Sequence, residues 1–183
     1  MQAPTRLSAG NTRVIGEGVN PAESVSSLLI MPMTMPTPFE SALLNLQLFD
    51  LRREAVLREA RDWFLREFNP ESFTELVTVL SGERNASFRM VIGYWDMAAS
   101  LVTTGAIDGE AFRAANGEIF GTFSKIQPFL AELRAASGEP GICKHMEEVI
   151  FADPTAEAKL ARRREALRAA AKARGSEKPG SAT

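Results

Sequence analysis

The sequence predicts an all-α protein: a compact bundle of about five helices around a central helical hairpin, with a loosely attached basic helix near the carboxyl end. In several segments the apolar residues recur at alternating spacings of three and four, which is the period of one face of a helix. Proline and glycine fall between those segments, and the alternation typical of strands is nearly absent. The chain has 183 residues, 45% of them apolar, which is enough for one domain of modest size.

Four parts follow from this pattern. We expect a disordered leader at residues 1–36, a helical bundle domain at 37–152, a basic helix rich in Ala and Arg at 153–174, and a disordered tail at 175–183. The leader has no sustained period and could not bury enough apolar surface to offset the entropy of ordering. Met31, Met33 and Met35 cluster before the first helix, so a start of translation at one of them is a hypothesis for the origin of the leader.

The first predicted helix begins at Thr37 and continues until Asn69-Pro70 interrupts it. Thr37 is a suitable N-cap, Pro38 suits the first helical position, and Glu40 completes a capping box. We expect one apolar face to run along the whole helix and to pack into the core. That face consists of Phe39, Ala42, Leu46, Phe49, Val56, Ala60, Trp63 and Phe64, widened by Leu43 and Leu57.

A short second helix should end at Ser81-Gly82, with Phe73, Leu76, Val77 and Leu80 as its apolar residues. The central hairpin follows, from Asn85 to Arg134: an outgoing helix, a turn at residues 105–108, and one long returning helix that Asp108 caps. The outgoing stripe is Phe88, Val91, Ile92, Trp95, Ala98, Ala99 and Val102. The returning stripe is Phe112, Asn116, Ile119, Phe123, Ile126, Leu130 and Leu133.

Three residues of the hairpin are candidates for a ligand pocket: Tyr94, Trp95 and Asn116. Trp95 could stack on a ligand, but an aromatic residue on an apolar stripe is normally part of the core. We expect it to pack on Gly117 and Gly121. Asn116 is the one polar residue of the returning stripe, and a satisfied core group is the plainer interpretation of it.

A turn at residues 137–141 precedes a fifth short helix, whose inward residues are Ile142, Met146, Val149 and Ile150. The last helix differs in charge. Residues 157–174 hold seven basic and two acidic residues, a net charge of +5, whereas the rest of the chain has 14 basic and 21 acidic residues, a net charge of −7. Candidate contacts for an anion or a nucleic acid are Lys159, Arg162, Arg163, Arg164, Arg168, Lys172 and Arg174.

The sequence offers little for catalysis, and we predict no catalytic, cofactor-binding or metal-binding residue. With one histidine and one cysteine, a structural zinc site is essentially excluded. Cys143 and His145 are two residues apart, which on a helix places them on nearly opposite faces, so a nucleophile and base pair is not expected. For the carboxylates Asp96 and Glu147, an ion pair with Arg134 across helices is the plainest account.

The expected location is the bacterial cytoplasm. A single cysteine cannot form an intramolecular disulfide, which fits a reducing compartment. No signal peptide is visible. The longest apolar run, at residues 28–31, is too short to span a bilayer, so no transmembrane segment is expected.

Several short motifs are shared with a known family: Tyr94-Trp95 followed by small residues, the Gly105-Ala106-Ile107-Asp108 turn, the run from Pro128 to Arg134, and His145-Met146-Glu147-Glu148. Over about residues 75–150 the chain resembles an uncharacterised bacterial all-helical family, one of the domains of unknown function. Relatives in that family often carry a transmembrane helix in front and a tryptophan at the position of Phe123. The family has no assigned activity, so the resemblance implies a helical fold and transfers no site.

Three functions remain open. The leading hypothesis is a non-enzymatic helical module that binds a protein, with a homo-oligomer as one form of it. The second is binding of a nucleic acid or an anionic surface through the basic helix, which lacks interleaved aromatic residues for base stacking. The third is a small-molecule binder or enzyme with a pocket near Trp95.

Overall fold

The computed structural model describes residues 36–176, and within that range the chain is entirely helix, turn and loop, without a strand. The all-α prediction is therefore confirmed. The helices are α1 (Pro38–Leu51), α2 (Ala55–Arg66), α3 (Phe73–Ser81), α4 (Asn85–Thr103), α5 (Gly109–Ala115), α6 (Glu118–Ile126), α7 (Leu130–Ser137), α8 (Lys144–Phe151) and α9 (Ala156–Ser176), with a 3-10 turn at Gln127–Phe129.

Most of the predicted leader and tail lies outside the described residues. Of the leader only residue 36 is described, and the hypothesis about Met31, Met33 and Met35 falls outside that range. Of the tail only residues 175 and 176 are described, and they belong to α9, which ends at Ser176 rather than at Arg174.

The core is centred on α4, whose most extensive packing is against α2 and α8. Between α2 and α4 lies a cluster of aromatic rings. Phe64 and Phe68 stack at 4.6 Å between ring centroids, Trp63 lies 5.7 Å from Phe68, and Phe88 of α4 lies 5.4 Å from Phe68. Such pairs add about 0.5–1.5 kcal/mol each beyond the area that they bury. This cluster explains why α2 is held firmly on α4.

The returning half of the predicted hairpin is not one long helix. Asn116 ends α5 with backbone angles of −121° and 41°, Gly117 precedes α6, and Pro128 lies in the 3-10 turn before α7. Asparagine and glycine are poor helix formers, and proline has no backbone N–H to donate, so this sequence favours interruptions. The predicted burial is nevertheless confirmed, since each of these residues is at most 8% exposed: Phe112, Asn116, Ile119, Phe123, Ile126, Leu130 and Leu133.

The predicted packing of Trp95 on two glycines is wrong. No atom lies within 4 Å of the position that a Cβ would take at Gly117, and at Gly121 the nearest is a methyl group of Leu65, at 3.9 Å. Because the interruptions redirect the return segment, the main neighbours of α4 are α2 and α8. Trp95 instead makes an edge-on contact with Tyr94, at 5.1 Å between ring centroids.

The first predicted helix is two helices, separated at residues 52–54. Glu54 caps α2 by accepting a hydrogen bond from the amide of Leu57 at 2.8 Å. The break changes which side of the chain faces the core. In α2 the expected residues Leu57, Ala60, Trp63 and Phe64 are buried, but the expected apolar face of α1 is exposed.

Several local predictions are confirmed. The capping box at the start of α1 joins the amide of Thr37 to Glu40 at 2.9 Å, and Asp108 caps α5 by accepting from the amide of Ala111 at 2.8 Å. The turn before Asp108 uses Gly105 at a φ of 77°, a left-handed conformation that glycine adopts without strain.

Contacts across the later helices agree with the sequence in part. Arg134 of α7 pairs with Glu147 of α8 at 2.8 Å, as expected, whereas Asp96 accepts a hydrogen bond from the amide of Met146 at 3.0 Å. These contacts fix the beginning of α8 against α4 and α7.

A buried lysine closes the carboxyl end of α2, and nothing in the sequence analysis anticipated it. Lys125 of α6 is 5% exposed, and its ammonium donates to the carbonyl oxygens of Phe64 at 2.8 Å, Leu65 at 2.8 Å and Phe68 at 2.7 Å. Three carbonyls match the three protons of an ammonium. Burial, and secondarily the charge of Arg174, lowers the pKa of Lys125 to about 7.

The beginning of α9 is attached more closely than the sequence indicated. Ala156 is 1% exposed and Leu160 is fully buried. Further along, Arg164 donates to the side chain of Gln127 at 2.7 Å, and Arg174 donates to the carbonyl oxygen of Arg66 at 2.7 Å. The basic helix therefore lies against α6 and the end of α2.

Candidate functional site

The strongest candidate site is an apolar surface on α1. Five residues at spacings of three and four point away from the bundle, and we call them the α1 face. The exposed fraction is 76% for Phe39, 63% for Leu46, 50% for Phe49 and 47% for Leu43, and Ala42 is also exposed. Apolar residues scattered singly are ordinary on a surface, but a contiguous apolar stripe of this size usually marks an interaction site.

The opposite side of α1 is attached to the bundle by polar as well as apolar residues, and Leu44 packs there, partly buried, against the core. Ser41 is 2% exposed, and its hydroxyl accepts from the amide of Asp108 at 3.1 Å. The amide nitrogen of Asn116 donates to the side-chain oxygen of Asn45 at 2.8 Å. Only Leu48, 3% exposed, is a fully buried large apolar residue of this helix.

A third hydrogen bond comes from α4. The hydroxyl of Tyr94 donates to the carbonyl oxygen of Leu48 at 2.8 Å, and burial raises the pKa of Tyr94 to about 12. A helix turned by half a revolution would lose all three bonds and leave their buried partners unsatisfied, which costs about 1–3 kcal/mol per group. Specific polar contacts therefore keep the α1 face outward.

The junction after α1 is fixed by Arg61 of α2. Its guanidinium donates to the carbonyl oxygen of Arg52 at 3.0 Å and forms a bidentate pair with Glu118 of α6. Hydrogen bonding to Glu118 raises the pKa of Arg61. The guanidinium of Arg52 lies 5.4 Å from the ring centroids of both Phe49 and Trp95. This arrangement holds the two helices at a fixed angle.

Charged side chains stand at both ends of the α1 face. At its start, hydrogen bonds from the backbone amide and the hydroxyl of Thr37 lower the pKa of Glu40 below its ordinary value. At its end, Asp50 and Arg53 are 75% and 71% exposed and lie 3.6 Å apart. The surface is therefore an apolar stripe with charges at its two ends.

The three residues proposed to line a pocket lie in the core. Trp95 is fully buried, Tyr94 is 8% exposed, and Asn116 is 1% exposed with a second hydrogen bond to the carbonyl oxygen of Phe112 at 3.0 Å. None of the three lines the clefts described below. Their burial favours the interpretation as core residues, and two of them serve to hold α1.

The seven basic residues of α9 divide into two groups. Lys159, Arg164 and Arg174 have partners within the fold: Asp153, the Ser124 carbonyl with the Gln127 side chain, and the Arg66 carbonyl. Hydrogen bonding to Lys159 and Thr155 lowers the pKa of Asp153. In the described range the other four are exposed and form no ion pair or hydrogen bond: Arg162, Arg163, Arg168 and Lys172.

Of three clefts that adjoin this helix, one also contains the acidic Glu110 and Asp153, and the other two contain several basic residues and no acidic one. Arg113 of α5, Lys159, Arg162 and Arg163 line the first of these two, beside Phe120, over whose ring the ammonium of Lys159 lies at 5.7 Å. The second cleft has Arg164 and Arg168 on its wall and the buried Lys125 at its base. Positive charge therefore lines both sides of the first half of α9.

The single cysteine and the single histidine do not act on each other. Cys143 is 2% exposed, and burial raises the pKa of its thiol to about 12, which keeps it protonated at neutral pH. The ring of His145 lies 2.7 Å from the hydroxyl of Thr103. Between residues 36 and 176, His, Cys, Asp and Glu side chains form no group of three or more that could hold a metal ion.

Residues 39–150 match a family described as Domain of unknown function (DUF4760). The chain belongs to this family. The resemblance to a domain of unknown function is thus confirmed, and the match reaches further toward the amino end than the sequence motifs did. The DUF4760 match starts within α1 and ends within α8, so it contains the α1 face and stops before α9. No curated protein and no solved structure matches the chain.

Across the described residues, no helix has the length and apolar character needed to cross a membrane. The most apolar exposed helix surface discussed above, the α1 face, belongs to a helix of 14 residues.

The spacing of the apolar residues predicted every residue of the α1 face as part of the core, and for all five that prediction is wrong. One signal of the break was present: Arg52 and Arg53 stand where the spacing after Phe49 calls for an apolar residue. No local signal shows that Ser41 and Asn45 face inward, because their partners Asp108 and Asn116 lie 67 and 71 residues away.

Proposed function

We propose that this chain is a non-enzymatic helical module that binds a protein partner through the α1 face. The observation that carries the proposal is the orientation of α1. Its inner side is hydrogen-bonded to the bundle through Ser41 and Asn45, while Phe39, Leu43, Leu46 and Phe49 are about half or more exposed. Burying one such side chain completely contributes about 1.5–3 kcal/mol. A partner that covers this stripe would therefore gain several kcal/mol.

The form of the surface indicates the kind of partner. The α1 face is straight, one helix wide and flanked by charges at its ends, which suits the apolar face of another helix. The module requires no reactive group of its own. Consistent with that, the Cys143 thiol is buried with a raised pKa, and Tyr94 and Asn116 serve as structural donors. The single cysteine continues to favour a reducing compartment such as the cytoplasm.

Two charge substitutions at neighbouring positions test this proposal. Leu46→Glu places a carboxylate in the middle of the α1 face, whereas Gln47→Glu adds the same charge at an exposed position beside it. Both variants should melt within about 2–4 °C of the wild type, because both sites are exposed. Tagged wild type, Leu46→Glu and Gln47→Glu are then used to capture proteins from a lysate of the source cells, followed by mass spectrometry.

A partner of the α1 face should be retained by the wild type and Gln47→Glu and lost by Leu46→Glu. The proposal fails if Leu46→Glu retains the same proteins as the wild type. It also fails if Leu46→Glu unfolds the chain, since that result would assign Leu46 to the core.

A second candidate function is binding of a nucleic acid or another polyanion along α9. The observation that favours it is the set of exposed basic residues without a described partner, Arg162, Arg163, Arg168 and Lys172, with Arg113 across the first cleft. Truncation is a poor test, since removing α9 would also remove the buried Leu160. Point substitutions keep the helix in place.

The test compares the triple variant Arg162→Gln, Arg163→Gln, Arg168→Gln with a charge-matched control, Arg53→Gln, Arg58→Gln, Arg89→Gln, all of them exposed residues. Fluorescence anisotropy is measured with labelled duplex and single-stranded nucleic acid at about 50 and 200 mM salt. If the protein contacts three phosphates of a single strand, raising the salt from about 50 to about 200 mM should weaken binding about twentyfold. Loss of binding in the α9 variant alone supports this function, and equal binding by both variants excludes it.

A further inference from the structure

The spacing of the α1 face is that of a coiled-coil seam. Phe39, Ala42, Leu46 and Phe49 are separated by three, four and three residues, which are the first and fourth positions of two successive heptads. Leu43 widens the stripe on one side. A partner helix with the same spacing would fit this seam, and the chain itself supplies such a helix.

We infer that the α1 face pairs with the α1 face of a second copy of this chain, in antiparallel orientation. This inference rests on the proposed function and names its partner. When two copies of α1 lie antiparallel about a two-fold axis, Phe39 of one copy falls opposite Phe49 of the other, and Ala42 falls opposite Leu46. Each Leu46 then packs on the small Ala42 of the other copy, and a Phe39–Phe49 pair lies at each end. The surface is therefore complementary to itself, as a two-fold interface requires.

The parallel arrangement fits less well. It would place Ala42 opposite Ala42 and Leu46 opposite Leu46, leaving a gap at one layer and crowding at the next. It would also align the two helix dipoles, whereas the antiparallel pair opposes them.

The charges at the ends favour the same orientation. In the antiparallel pair, exposed Arg53 and Asp50 at the end of one α1 approach the start of the other, where the Glu40 carboxylate lies. Asp50 likewise approaches the positive amino end of the second helix. In the parallel pair Glu40 would lie beside Glu40 and Asp50 beside Asp50. At each end of the antiparallel pair Glu40 therefore lies near both members of the Asp50–Arg53 pair of the other copy, whereas the parallel pair sets the two Glu40 carboxylates side by side.

The size of the surface sets the strength of the dimer. A helix of 14 residues is about 21 Å long. One helix of this length, with side chains about half exposed, covers less than the roughly 800 Å² per partner of a standard interface. We therefore expect a concentration-dependent dimer with a dissociation constant on the order of micromolar, in exchange with monomer, and not a permanent one.

The first experiment is sedimentation equilibrium of the full chain at loading concentrations from about 1 to 500 μM. The wild type and Gln47→Glu should shift from monomer to dimer over this range. Leu46→Glu should remain monomeric, because its carboxylate would be buried opposite Ala42 of the second copy. A wild type that stays monomeric at the highest concentration, or a dimer that Leu46→Glu leaves intact, would overturn the inference.

The second experiment tests orientation with Ala42→Cys and Leu46→Cys under mild oxidation. The native Cys143 is 2% exposed and does not compete. A disulfide needs Cβ atoms about 3.5–4.5 Å apart, so positions that face each other across the pair link more readily than positions in different layers. One variant is isotope-labelled, and mass spectrometry distinguishes the mixed product. A disulfide that forms mainly in the mixture supports antiparallel pairing, and efficient self-linking of Ala42→Cys alone overturns it.

The two proposals can fail separately. If the wild type is monomeric but captures a cellular protein that Leu46→Glu loses, the second copy is not the partner and the interaction module stands. If the wild type is monomeric and captures nothing that depends on Leu46, both proposals are overturned.

Discussion

α1 and α2 are neighbouring helices that direct most of their large apolar residues to different environments. Trp63 and Phe64 of α2 are 7% and 0% exposed and stack with Phe68 and Phe88 in the core. In α1, Phe39 and Phe49 are 76% and 50% exposed, while the small polar Ser41 is buried. Apolar content therefore does not distinguish the two helices.

The difference lies in how each helix is attached. α2 is held mainly by apolar burial, with one lysine closing its carboxyl end. α1 is held by Leu48, by the partly buried Leu44, and by hydrogen bonds from Asp108, Asn116 and Tyr94, each bond worth about 0.5–1.5 kcal/mol. A helix attached in this second way keeps its apolar residues available to a partner. The polar contacts of α1 therefore help to keep its apolar residues exposed.

Paired alanine substitutions test the comparison most strongly. Phe64→Ala should lower the free energy of unfolding by about 3–5 kcal/mol, because it leaves a cavity among buried rings. Phe39→Ala removes the same atoms from an exposed site and should change it by less than about 0.5 kcal/mol. Denaturant unfolding near 1 μM protein, where the chain should be monomeric, measures both. A cost above about 2 kcal/mol for Phe39→Ala would show that the monomer itself covers the α1 face.

The sequence predicted those helix ends that are fixed by contacts between residues close together in the chain. The capping box at Thr37 and the cap at Asp108 act over three residues, so they could be found directly. The burial of the stripe through Ile119 and Phe123 also followed from spacing, although Asn116-Gly117 divides the helix. These features need no knowledge of distant contacts.

The sequence does not predict how α1 is rotated about its own axis, and therefore which of its residues face the core. Each residue turns a helix by about 100°, so the irregular residues 52–54 disconnect the face of α1 from that of α2. The direction of α1 is then set by its contacts with Asp108 and Asn116, far along the chain. The basic residues of α9 were found from sequence, but their division into bonded and exposed groups depends on where Gln127 and Arg66 lie.

The next largest loss of stability is expected on removing Lys125 of α6, whose ammonium bonds to the carboxyl end of α2. Lys125→Met keeps the length of the side chain but leaves three carbonyl oxygens without their donor. We expect the free energy of unfolding to fall by about 2–3 kcal/mol. Lys144→Met, at an exposed lysine of α8, is the control and should change it little. An unchanged stability in Lys125→Met would mean that α2 is held by its rings alone.

The same lysine gives a pH dependence whose sign is fixed. Its pKa is about 7 in the folded chain against an ordinary 10.5, so the unfolded chain binds more protons between these values. Its contribution to stability is therefore complete above about 10.5, decreases as the pH falls, and levels off below about 7. The difference in unfolding free energy between wild type and Lys125→Met should widen from pH 7 to about pH 9. A difference that stays constant from pH 7 to about pH 9 would show that the carbonyls keep the lysine charged in the folded chain.

For α1 the corresponding test is Tyr94→Phe, which removes the donor to the Leu48 carbonyl. It should cost about 1 kcal/mol and should speed hydrogen exchange of the α1 amides more than those of α2. Ser100→Ala removes a hydroxyl of α4 that bonds within its own helix, and it serves as the control. Tyr94 is the only tyrosine, so its absorbance can be titrated directly, with a midpoint near 12 because of burial. A midpoint near 10 would place the hydroxyl in solvent and weaken the account of α1.

The smallest effect is expected at the other interruption, between α5 and α6. Gly117 has backbone angles of −56° and −15°, and no atom lies within 4 Å of a Cβ added there. Gly117→Ala and Gly117→Leu should therefore change the melting temperature by less than about 4 °C. Packing of Trp95 on this glycine, which the sequence suggested, would instead make the leucine variant melt far lower. A melting temperature that falls clearly in Gly117→Leu but not in Gly117→Ala would indicate that Trp95 packs at the α5–α6 junction. In that case α4, like α1, would contact the segment that contains Asn116.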